Sequence, residues 1–105
     1  MHVYHFQFDQ HIPTKELKDT LLLAVMATES LHGRARVKLD AIHDLNLLNH
    51  TCRIDAFSEV GDDLARIFTG YALREYGNER ISIERDFLDI PVGSPTIEAL
   101  REAIL

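Results

Sequence analysis

A chain of 105 residues, 46% hydrophobic and 27% charged, suits one globular domain and is short for two. Its formal charge of −6 at pH 7 argues against the basic footprint of a dedicated nucleic-acid binder. With Cys52 as the single cysteine, neither an intrachain disulfide nor a thiolate metal cage can form. The start Met1-His2-Val3-Tyr4-His5 lacks the basic and apolar blocks of a signal peptide, and the longest apolar run, residues 21–27, is too short to span a bilayer. A reducing, cytoplasmic setting without a membrane partner is therefore expected.

In chain order, Tyr4, Phe6 and Phe8 alternate with Val3, His5 and Gln7, the period-two signature of a strand with one buried side. Pro13 is tolerated only in the first turn of a helix, and Leu17, Leu21, Ala24, Val25, Thr28 and Leu31 then recur at helical spacing up to a stop at Gly33. Residues 34–41 alternate charged and apolar positions and read as a second strand; residues 51–56 alternate likewise and read as a third. A hairpin joining them pairs Asp40 with Arg53, Lys38 with Asp55, Leu39 with Ile54 and Ala41 with Cys52, because this register sets opposite charges across from each other. Asn46-Leu47 at its tip is a poor two-residue turn, so a longer or bulged loop is expected.

Ser58 is a fitting N-cap for a helix that carries Val60, Leu64, Ile67, Phe68 and Tyr71 as its apolar stripe and stops at Gly77. Gly70 inside that helix suggests close contact with the other helix or the sheet. Residues 80–84 alternate as a fourth strand. Beyond a loop, Ser94-Pro95 can start a short helix with Ile97, Leu100 and Ile104 in one stripe.

The succession strand, helix, strand, strand, helix, strand over residues 1–88 resembles the ferredoxin-like βαββαβ arrangement. That resemblance implies an α+β two-layer sandwich: a four-stranded antiparallel sheet in the order 4132, with the first and third strands central and parallel to each other. Right-handed crossovers place both helices on one face. Residues 89–105 are expected to form a loop and a short C-terminal helix that packs on the domain or on a partner subunit. The fold hosts many unrelated functions and licenses none of them.

The open sheet face would carry His5, Arg34, Arg36, Arg53 and Asp55. His titrates near neutrality and Arg forks onto oxyanions, so these five are candidates for holding a small anionic ligand. The alternative is a small enzyme or metal-dependent protein centred on His5. No catalytic motif, cofactor fingerprint or metal-ligand spacing occurs among the six histidines, so neither catalytic residues, a cofactor nor a metal is expected. RNA binding would need exposed aromatics on the central strands, whereas Tyr4, Phe6 and Phe8 share the core side. Leu22, Leu23 and Met26 widen the first helix's apolar arc beyond what one sheet can cover. With Ile97, Leu100 and Ile104 they form the candidate interface of a homodimer. The expected function is a non-catalytic module that acts by self-association or by binding a protein or small anionic ligand.

Overall fold

A computed structural model describes residues 1–87. The chain runs through β1 (His2–Phe8), α1 (Thr14–His32), α2 (Arg34–Asp40), β2 (His43–Asn46), β3 (Thr51–Ala56), α3 (Glu59–Tyr76), a 3-10 turn (Asn78–Arg80) and β4 (Ile81–Phe87). Ser58 caps α3 as expected: its Oγ accepts from the Gly61 N–H at 3.1 Å and donates to the Asp40 carbonyl at 2.9 Å, tying the end of α2 to the start of α3. The expected C-terminal helix with Ile97, Leu100 and Ile104 lies outside the described residues.

Over the described residues the result is an α+β structure in which one open, four-stranded antiparallel sheet carries three helices. Its strands are ordered β2-β3-β1-β4, and β1 is antiparallel to both β3 and β4. The expected parallel pairing of the first and third strands is therefore corrected. The β2–β3 hairpin reverses the chain after the α1 crossover, so β3 returns against β1.

The strand expected over residues 34–41 is a correction too, because this stretch is mostly α2. Gly33 (φ 87°, ψ 153°) breaks α1 in a conformation essentially reserved for glycine, and a new helix starts on the next residue. Val37 and Ala41 lie four apart and so share a helix face as readily as a strand face; they are 3% and 2% exposed, while Leu39 is 72% exposed. Arg36 and Asp40 meet across one helical turn at 3.9 Å.

The strand role passes to β2. There Asp44, not Asp40, opposes Arg53, and Leu45, not Ala41, opposes Cys52, while His43 takes the place expected of Leu39 opposite Ile54. The expected Lys38–Asp55 pair does not form, since Lys38 is on α2. Residues 47–50 make the longer connecting loop, with His50 at a positive φ of 53°.

The core lies between the sheet and the helices. Phe6 and Phe8 of β1 meet the ring of Phe68 edge-on, at centroid distances of 5.0 and 5.9 Å. Cys52 and Ile54 of β3, Leu17, Leu21 and Ala24 of α1, Val37 of α2, and Val60 and Leu64 of α3 complete it. The Tyr76 hydroxyl, buried among them, has Thr20 Oγ1 as its partner at 3.0 Å.

Candidate functional site

The uncovered sheet face is assembled by the pairing register. Straight across the four strands run two rows, Asp44–Arg53–His5–Glu84 and Asn46–Thr51–Gln7–Ser82. Together they line a trough of about 470 Å³. His5 Nε2 lies 3.1 Å from Asp86 Oδ2, and Arg53 Nε lies 3.2 Å from Asp55 Oδ1. Gln7 Nε2 donates to the Asn49 carbonyl at 3.0 Å and fastens the 47–50 loop to β1.

Of the five residues expected to gather on this face, His5, Arg53 and Asp55 do so. Arg34 and Arg36 do not: both sit on α2, on the helix side, where Arg34 Nε is 3.7 Å from Glu29 Oε2 and Arg36 faces Asp40. Their removal changes the electrostatics. Among the described residues the face keeps the carboxylates Asp44, Asp55, Glu84 and Asp86 beside the Arg53 guanidinium and the His5 imidazole, an excess of negative charge. Asp44 and Asn46 escaped the sequence reading because a four-residue strand leaves only two alternations, and His43-Asp44-Leu45-Asn46 reads equally well as turn. Asp86 escaped because β4 runs past residue 84 to Phe87.

On the other side, Leu22, Leu23 and Met26 of α1 are 56%, 57% and 52% exposed. Their expected companions Ile97, Leu100 and Ile104 lie outside the described residues. Beside this ridge runs an apolar groove between α1 and α3. Leu23, Ala27 and Leu31 form one wall; Ile67, Gly70 and Tyr71 form the other, in two adjoining hollows of about 370 and 460 Å³ that share Tyr71 and Arg74. Tyr71 lies here, 40% exposed, rather than in the core stripe, where Ala72 and Tyr76 pack instead.

Gly70 does not make the close contact its position suggested. A Cβ built on it meets nothing within 4 Å. A glycine inside a helix costs about 1 kcal/mol relative to alanine, and no neighbour among the described residues accounts for it.

Four of the other histidines have hydrogen-bond partners within the fold, whereas the buried Nδ1 of His2 has none among the described residues. His11 Nδ1 donates to Asp9 Oδ1 at 2.9 Å, and the His11 backbone N–H on the same carboxylate holds Asp9 below the usual range. His32 Nε2 is 2.6 Å from Asp63 Oδ2 and links the end of α1 to the first turns of α3. His43 and His50 donate to the carbonyls of Ala41 and Ile12. Burial pushes the Cys52 thiol up to about 12, so it stays protonated and unreactive near neutral pH. Among the described residues no three His, Cys, Asp or Glu side chains are placed to hold a metal ion, and no helix is long and apolar enough to cross a membrane.

No protein-family model, curated protein or solved structure matches this chain.

Proposed function

We propose that this chain is a non-catalytic association module, a variant of the ferredoxin-like βαββαβ sandwich whose first helix pairs with the same helix of a second copy. The fold reading draws on the strand order, which runs β4-β1-β3-β2 when taken from the other edge, with α2 as an added turn between α1 and β2. A free, buried thiol at Cys52 fits a cytoplasmic setting.

The observation that carries the functional reading is the ridge of Leu22, Leu23 and Met26, each more than half exposed on one helix. Symmetry says why a second copy suits it. Lys18 and Glu29 lie eleven residues apart, three turns of a helix, and so flank Leu22 and Met26 on one side. Two α1 helices laid antiparallel about a two-fold axis midway between them bring Lys18 of each copy opposite Glu29 of the other. Leu22 and Met26 interdigitate between these pairs, so one patch is its own complement.

Sedimentation of the full chain tests this. The natural sequence is expected at twice the chain mass, and Leu22→Lys and Met26→Lys at the single mass but still folded, with a cooperative melting transition that no longer depends on protein concentration, since both positions face solvent in the monomer. A natural chain that stays at the single mass up to its solubility limit sinks the proposal.

A further inference from the structure

We infer that the outer edge of β4 is the docking strip for an extended segment of another protein, which joins the sheet antiparallel and alternates basic with apolar side chains. The inference does not rest on the pairing of α1, which concerns a different element.

Two hydrogen bonds and the register fix which main-chain groups of β4 face outward. The Phe8 N–H donates to the His50 carbonyl on the β3 side, and the Asp9 N–H donates to the Arg80 carbonyl on the β4 side. Successive residues of an antiparallel strand turn their groups to opposite sides, so Val3, His5 and Gln7 bond towards β4 and occupy Asp86, Glu84 and Ser82. The N–H and C=O groups of Ile81, Ile83, Arg85 and Phe87 then point away from β1, where no other described strand lies.

Shortness, proline and bulges blunt an edge, and charge restricts which strand can join it. The opposite edge, β2, is only four residues long. β4 runs for seven residues without proline and keeps an unbroken register with β1 from Ile81 to Phe87. Its geometry therefore admits a strand, and its side chains select one.

On the helix side Ile83 and Phe87 remain exposed. On the open face Glu84 and Asp86 continue the acid excess of Asp44 and Asp55. A joining strand thus sets apolar side chains against Ile83 and Phe87, basic ones against Glu84 and Asp86, and an acid against Arg85. A second copy of β4 does not meet this pattern. The antiparallel register that uses its full length sets Glu84 against Glu84 and Ile83 against Arg85.

The test uses the full chain and the peptide Thr-Ile-Lys-Glu-Lys-Ile-Thr. Without peptide, the amides of Ile81, Ile83 and Arg85 are expected to exchange with deuterium about tenfold faster than those of Ser82, Glu84 and Asp86. The peptide is expected to slow the first set and shift their resonances, while Leu31 and Tyr71 in the groove stay in place. Arg85→Pro removes an outward N–H and no ladder bond, so it is expected to fold and to bind about tenfold more weakly than Arg85→Ala, which keeps the amide. On the natural chain, N-methylation of the two peptide isoleucines is expected to abolish binding. N-methylation of the two lysines, whose amides face away from β4, is expected to preserve it.

Protection of Ile83 and Arg85 in the free chain overturns the inference, because the edge would then already be paired. Equal binding by Arg85→Pro and Arg85→Ala, or by the two methylated peptides, overturns it too. So does equal binding of the charge-reversed peptide Thr-Ile-Glu-Lys-Glu-Ile-Thr, or the absence of any shift at roughly 1 mM of the basic one. A fall in sedimenting mass on Arg85→Pro would assign the edge to a second copy and overturn it as well.

Discussion

At Gly61 the first turn of α3 passes so close to the end of β3 that a side chain has no room: a Cβ there would run into the carbonyl oxygen of Asp55. The obstacle is backbone on both sides, so nothing flexible can give way. Gly61→Ala is expected to lower stability by about 1–3 kcal/mol, read from the urea midpoint; an unchanged midpoint would mean that α3 and β3 are further apart than described. Gly70 poses the opposite case, a glycine with open space above it, and only a comparison of the two positions in space tells them apart. Cys52 shows the same dependence on surroundings. Its strand neighbours already suggested a small buried hydrophobe, and burial against Ile54 and the helix layer keeps its thiol neutral.

Among the elements, α2 is the instructive one. Its sequence, Arg-Ala-Arg-Val-Lys-Leu-Asp, satisfies a period of two, yet the positions that end up buried are Val37 and the following Ala41, which a period of 3.6 explains and which leaves Leu39 in solvent. The two readings differ in their consequences. Val37→Asp is expected to cost about 2–4 kcal/mol, since it places a carboxylate in the core. Leu39→Asp is expected to stay within about 0.5 kcal/mol of the natural chain. Equal costs for both substitutions in urea unfolding would restore the strand. Opposite-charge pairing, which predicted the hairpin register, holds in kind at Asp44 and Arg53 but four residues later than expected.

For the whole molecule, charge along α1 decides how two copies would meet. If Lys18 faces Glu29 of the second copy, Lys18→Glu sets two acids opposite each other and is expected to weaken dimerisation by about tenfold, a shift of about 1.4 kcal/mol. Adding Glu29→Lys in the same chain should restore it. A double variant as weak as the single one in a sedimentation series would remove the antiparallel arrangement. The open sheet face pulls in another direction, for its acid-rich trough only exists once β2 and β4 flank β3 and β1.

What the sequence determined by itself was local. Alternation marked β1, β3 and β4; Ser58 began α3; Gly33 and Gly77 ended two helices; and the apolar surplus of Leu22, Leu23 and Met26 announced an uncovered surface. These signals are legible because each depends on residues a few positions apart. The tertiary structure alone decided whether residues 34–41 coil or extend, which acid faces Arg53, and that Arg34 and Arg36 leave the sheet face. Those outcomes turn on contacts between residues distant in the chain, where two local patterns fit equally well and packing of the whole core selects one.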